Sequence, residues 1–160
     1  MRRLTLRFIA LSLGFSAMPL VHAAPDAQQQ LLEQVQLGEA TKREDLVRQS
    51  LYRLELIDPA NPDVIAARFR YLLRQGDTAG AQKQLDRLQE LAPDSGALRD
   101  SRNIMTLSSP EGRQALQEAR LQGTTGHTQE ALAAYDKLFN GHPPTGDIAR
   151  EYWVLVAKVP

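Results

Sequence analysis

The sequence predicts an all-α solenoid, in which antiparallel helix pairs stack as a superhelix and one extra helix is inserted. Three observations carry that reading. The stretch from Pro62 to Pro93, PDVIAARFRYLLRQGDTAGAQKQLDRLQELAP, holds the start, turn and stop signals of a complete helix-turn-helix. Its pattern recurs upstream with a period of 34 residues, the distance from Pro59 to Pro93. It recurs again downstream, but Pro93 and Pro143 are 50 residues apart, so a helix-sized surplus of 16 lies between them.

The first 23 residues are of another kind. Met1-Arg2-Arg3 is a basic head, Leu4 to Leu20 is an apolar run interrupted by Arg7, and Val21 and Ala23 place small residues before a cut after Ala23. This is the three-part layout of a secretory signal peptide. A membrane anchor is the weaker reading, because a span needs roughly 20 uninterrupted apolar residues. Loss of Arg2, Arg3 and Arg7 with the signal leaves 137 residues carrying 16 basic and 19 acidic side chains, a formal charge of −3. Nucleic-acid binding needs clustered excess basic charge, so it is excluded. The chain has no cysteine. An exported chain of this composition must be held together by burial, which stacked repeats supply.

Residues 24–160 form the repeat domain. Asp26 to Gln30 is polar and expected to fray. The first unit, about 28–61, has helices at Gln29–Glu39 and Glu44–Ile57 around a turn at Thr41–Arg43, with Leu31, Val35, Val47, Leu51 and Leu54 on the apolar side. The second unit, about 62–95, opens with Asn61 as cap and Pro62 at the first helical position, where a missing N–H is harmless. Ile65, Phe69 and Leu72 then share a face at i, i+4 and i+7. Gly76 closes that helix in the left-handed conformation and Asp77 caps the next. In the second helix Ala81, Leu85 and Leu88 repeat the spacing, with the small Ala81 where the helices approach most closely, and Pro93 ends the unit.

The surplus segment predicts a helix over 96–108 supported by Leu98, Ile104, Met105 and Leu107. Ser109, Pro110 and Glu111 then give a strong helix start for a unit over 110–145. An odd helix in an array of pairs is expected to redirect the stacking of later units. The stretch 146–160 starts a further unit, with Ala149, Tyr152 and Trp153 near first-helix offsets, and the chain is expected to be a fragment of a longer protein.

A period of 34 residues is that of tetratricopeptide repeats. The resemblance becomes specific where Gly76, Ala81 and Pro93 of one unit match Gly126, Ala131 and Pro143 of another. Arg68 and Phe69 depart from the family pattern, and Lys42 and Val47 replace the expected Gly and Ala in the first unit, which predicts looser packing there. The groove-facing offsets of the family fall on Gln29, Leu32, Gln36, Asp63, Ala66, Arg70, Arg113, Leu116 and Arg120. Of these, Gln29, Gln36, Arg70, Arg113 and Arg120 are the candidate groove contacts. Their guanidiniums and amides suit an acidic peptide or the hydroxyls of a polysaccharide.

Catalytic arrangements are absent from the pattern. His127 sits in a turn, His142 lies in a Pro- and Gly-rich loop, and Ser109 reads as a cap. Gly123-Thr124-Thr125-Gly126 lacks the lysine and the preceding strand of a phosphate loop. No catalytic, cofactor-binding or metal-ligating residue is nominated, and no cofactor is expected.

Longer segments go beyond repeat offsets. LSLGFSAMPLVHAAPDAQQQLLEQV, LGEATKREDLVRQSLYRLELIDP, ARFRYLLRQGDTAGAQKQLDRLQELAP and GRQALQEARLQGTTGHTQEALAAYDKLFNGHPP closely resemble the N-terminal region of the cellulose synthase operon protein C family. The resemblance implies a periplasmic repeat array ahead of an outer-membrane β-barrel, acting as a non-catalytic scaffold in cellulose export. Its implied partners are the cellulose synthase complex and other periplasmic subunits, with cellulose as a further candidate. The alternative is a general periplasmic protein-binding repeat module for envelope assembly.

Overall fold

The computed structural model describes residues 27–159, so the signal-peptide reading of residues 1–23 lies outside the described residues. Among the described residues the chain forms eight helices and no strand: α1 (Ala27–Ala40), α2 (Glu44–Ile57), α3 (Pro62–Arg74), α4 (Thr78–Leu91), α5 (Gly96–Ser108), α6 (Pro110–Thr124), α7 (Thr128–Leu138) and α8 (Gly146–Val156). The helices pair as α1 with α2, α3 with α4 and α6 with α7. The fold is a tetratricopeptide-type helical solenoid with one helix inserted.

Local signals set the helix ends. Asn61 accepts from the Asp63 N–H at 2.9 Å, Asp77 from the Gly80 N–H at 2.8 Å, and Ser109 from the Gly112 N–H at 2.9 Å. Each bond satisfies a donor that the first turn of a helix leaves without a partner. Gly76 and Gly126 take φ of +78° and +89° after α3 and α6. Lys42, at the same repeat position, takes φ of +57°, which an L-residue adopts only at a cost. The N-terminal segment is more ordered than its polarity predicts, for α1 is already formed at Ala27. Leu31 and Val35, buried on the neighbouring helices, hold it down.

The core is built in three clusters. Leu31, Val35, Val47, Leu51, Leu54, Val64 and Ala67 join α1, α2 and α3. Ile65, Ala66, Leu88 and Leu98 join α3, α4 and α5. Leu116, Ala119, Ala131, Tyr135, Phe139 and Leu155 join α6, α7 and α8. Ala81 and Ala131, the small residues of the two later units, are both fully buried.

The first unit packs closely despite its departures from the repeat pattern. Val47 is fully buried, and the space it needs comes from Gly38. A Cβ on Gly38 would stand 2.7 Å from Val47 Cγ2, well inside van der Waals contact. The equivalent positions in the second unit are Leu72 and Ala81, so small and large residues have exchanged helices. Leu72 itself is only half-buried, and the expectation that it joins the core with Phe69 is corrected accordingly.

The inserted α5 packs on both α3 and α4, the place a first helix of the next pair would take. No antiparallel partner follows it, because α6 pairs chiefly with α7. Its inward side also differs from the apolar set read from the sequence. Leu98, Ser101 and Asn103 are buried, whereas Ile104 is exposed. The α5–α6 corner turns on the single residue Ser109. There Gly112 lies so close to the end of α5 that a Cβ would stand 2.0 Å from the Thr106 carbonyl oxygen.

Candidate binding grooves

Two recesses lie between successive first helices, overlapping at the repeat positions of Gln36 and Arg120 and of Arg70 and Val154. The first, about 220 Å³, is lined by Leu32, Val35 and Gln36 of α1 and Asp63 and Arg70 of α3. Four of the nominated groove positions, Leu32, Gln36, Asp63 and Arg70, therefore meet. The second, about 620 Å³, is lined by Arg120, Gly123 and Thr124 of α6, Tyr135 of α7, and Arg150, Glu151, Val154, Leu155 and Lys158 at α8.

The remaining nominees sit elsewhere. Gln29 donates along α1 to Glu33 Oε1 at 3.2 Å and lines neither recess. Ala66 and Leu116 are buried core residues. Arg113 donates to the Leu107 and Ser108 carbonyls at 3.2 and 2.6 Å, so it closes the C-terminal end of α5. Among the repeat-packing nominees, Pro93 and Pro143 are exposed, and α7 is ended by Asn140 and Gly141, both at positive φ, before Pro143 is reached.

The nominated arginines that do line the recesses, Arg70 and Arg120, already hold carboxylates. Arg70 Nε lies 2.9 Å from Glu39 Oε1, and Arg74 bridges Glu39 at 2.9 Å and Glu44 at 2.8 Å, so α3 is tied to both helices of the preceding unit. Burial works against the Arg74 charge, but the hydrogen bonds it donates to Glu44 and Glu39 outweigh it and raise its pKa. Arg120 grips Glu151 with two bonds of 2.7 and 2.8 Å, and the Tyr135 hydroxyl donates to the same carboxylate at 3.3 Å. The Arg120 guanidinium holds the Glu151 carboxyl below its usual range. Burial, with the Glu151 charge adding to it, pushes the Tyr135 phenol up.

Sequence reasoning missed Arg150, Val154 and Lys158. Arg150 and Val154 lie one 34-residue period after Leu116 and Arg120, so extending the same offsets into α8 finds them. No carboxylate lies within ion-pair distance of Arg150 or Lys158 among the described residues, and Val154 is exposed between them. The second recess thus offers two available cations, an apolar floor at Leu155 and an internally neutralised Arg120–Glu151 pair. Among the described residues no cluster of histidines and carboxylates could hold a metal ion, and no helix is long and apolar enough to cross a membrane.

Capped helix pairs, a core divided by unit and shallow grooves along the first helices define a helical-repeat protein of the tetratricopeptide type. No protein-family model matches the chain. It is 72% identical, over all 160 of its residues, to 14% of the cellulose synthase operon protein C of Escherichia coli strain K12. It is 70% identical over 152 residues, 95% of this chain and 13% of the relative, to the Salmonella typhimurium protein of that name. A Komagataeibacter xylinus relative, cellulose synthase 1 operon protein C, is 36% identical over 141 residues, 86% of this chain and 10% of the relative. The crystal structure of the flexible tandem repeat domain of a bacterial cellulose synthase component matches with a TM-score of 0.62 and 79% identity, covering 86% of this chain and 63% of that one. Over its whole length the chain is therefore a close relative of one segment of cellulose synthase operon protein C. It spans between 10% and 14% of the length of these curated relatives.

Proposed function

We propose that the chain is the repeat portion of a non-catalytic scaffold in cellulose biosynthesis and export, holding other components of the synthase machinery along its first-helix grooves. The observation that carries this reading is that open recesses lie between α1 and α3 and again between α6 and α8, overlapping at the repeat positions of Gln36 and Arg120 and of Arg70 and Val154. A repeated open surface suits holding an extended partner. The relatives supply the process, through the name they share.

Within that reading, residues 1–23 are a signal peptide and the domain works in the periplasm, with an outer-membrane barrel belonging to the longer protein. The units are 28–61, 62–95 and 110–145, with 96–108 inserted and 146–160 beginning another. Trp153 supports the last assignment. It occupies the repeat position of Val35, Phe69 and Ala119, all at most 1% exposed, yet it is 53% exposed. In the three complete units a second helix covers this position, and α8 shows the face that such a helix would cover.

Calorimetric titration with cello-oligosaccharides and, separately, with the periplasmic portions of the synthase tests the proposal. Saturable binding to either, weakened by Arg150→Glu with Lys158→Glu, supports it and identifies the kind of partner. Saturable binding to neither refutes the scaffold role for this segment.

A further inference from the structure

A third cleft lies apart from both grooves, at the joint between the second pair and the third. It measures about 350 Å³ and is lined by Leu85 of α4, Arg99, Arg102 and Asn103 of α5, and Asn140 and His142 of the loop after α7, among others. Two guanidiniums and an imidazole converge there with two side-chain amides, and no carboxylate lines the cleft.

The absence of a lining carboxylate sets it apart from both grooves, which hold Asp63 and Glu151. Arg68, Arg70, Arg74 and Arg120 each grip a glutamate at 2.7–2.9 Å. Arg99 and Arg102 have no ion-pair partner among the described residues. Arg99 donates to the Asp94 carbonyl at 2.8 Å, and Arg102 donates to the Gln89 side-chain oxygen. Both acceptors are neutral, and each guanidinium keeps further donors in a planar fork that matches carboxylate or phosphate oxygens. Arg102 is half-buried, so its charge is less screened than that of a freely solvated side chain.

The walls are set by the fold and not by a mobile tail. Asn103 is buried and donates to Thr145 Oγ1 at 2.9 Å, which fixes α5 against the residue that precedes α8. Asn140 and Gly141, with φ of +53° and +76°, turn the chain so that His142 faces α5 across the cleft. Buried Phe139 and half-buried Leu85 and Met105 supply apolar surface beside the cations. An opening of this size and mixed lining fits the range of small-ligand sites.

We propose that this cleft is an oxyanion site, taking a small ligand that bears a carboxylate or phosphate group and bridging α5 to the α7–α8 loop. Its occupancy ties together two parts of the solenoid whose buried apolar clusters are separate. The proposal is independent of the groove reading, since none of its residues lines either groove.

The test is a nuclear magnetic resonance titration of the chain at constant ionic strength, with inorganic phosphate in one arm and acetate in the other. Saturable shifts confined to Asn140, Gly141, His142 and the Arg99 and Arg102 side chains are expected in at least one arm. Phosphate alone identifies a phosphate-bearing ligand, and response to acetate extends the site to carboxylates. Arg102→Gln with Arg99→Gln should weaken the response at least about tenfold, the loss of one to two charge-assisted hydrogen bonds, while the exposed Arg53→Gln leaves it unchanged. Non-saturable shifts spread over all basic residues, an absence of response in both arms, or unchanged binding by the double variant would each overturn the assignment.

Discussion

Gly38→Ala gives the sharpest test of the packing argument, because two opposing effects can be separated by a second substitution. Alanine in place of glycine in a helix interior favours the helix by about 1 kcal/mol, an upper bound for Gly38 in the last turn of α1. Here the new Cβ would stand 2.7 Å from Val47 Cγ2 and 3.2 Å from both the Arg43 carbonyl oxygen and the Val47 nitrogen. Overpacking of that kind costs about 1–3 kcal/mol, so a net loss of about 1 kcal/mol is expected. Val47→Ala alone removes two buried methyl groups and should cost roughly 1.6 kcal/mol from burial, with a further penalty for the cavity. In that background the closest clash is gone, and Gly38→Ala should become neutral or stabilising. The coupling between the two sites is then about 2 kcal/mol, within the range seen for residues in contact. Urea denaturation of the four proteins, followed by far-ultraviolet circular dichroism, measures it. Additivity within about 0.5 kcal/mol would refute the claim that Gly38 exists to admit Val47.

Five further substitutions probe the corner, the turn, and the ion pair with its phenol. Gly112→Ala should destabilise by about 3 kcal/mol or more, because its Cβ meets the backbone oxygen of Thr106 and not a movable side chain, whereas Ser109→Ala should lose only about 1 kcal/mol with the cap; equal unfolding midpoints would contradict this. Lys42→Gly should stabilise by up to about 1 kcal/mol, since glycine adopts the positive φ of the α1–α2 turn without steric penalty; a loss of thermal stability would show that the lysine side chain contributes more than its backbone costs. The Glu151 carboxyl is held below its usual range by Arg120, so its contribution is present above the ordinary carboxylate pKa and fades as pH falls through the lowered value. Glu151→Gln should therefore flatten the acid limb of the stability profile, with less than about 1 kcal/mol lost at neutral pH because the pair is partly solvated. Tyr135 acts at the other end: its raised pKa gives a contribution complete below the ordinary phenol range and lost as pH rises through the raised value, and Tyr135→Phe should remove that alkaline limb.

Much of the fold was legible in the chain because the signals are local. Asn61, Asp77 and Ser109 reach backbone donors two or three residues away, and Gly76 and Gly126 need only their own freedom at positive φ. The apolar spacing then places Phe69, Ala81, Leu88 and Ala131 inward without knowledge of any distant partner. The candidate grooves were legible in part, since repeat offsets located Gln36, Arg70 and Arg120 but stopped short of Arg150 and Lys158.

Sequence by itself determined where the helices begin and end and which stripe of each is apolar, because both follow from neighbours within a turn or two. Only the tertiary structure decided which charges are available. Arg70 meets Glu39 and Arg120 meets Glu151 across 31 residues of chain, and Asn103 meets Thr145 across 42. Nothing local distinguishes these arginines from Arg99 and Arg102. The difference arises when helix packing brings a carboxylate to one guanidinium and leaves the other facing a neutral wall.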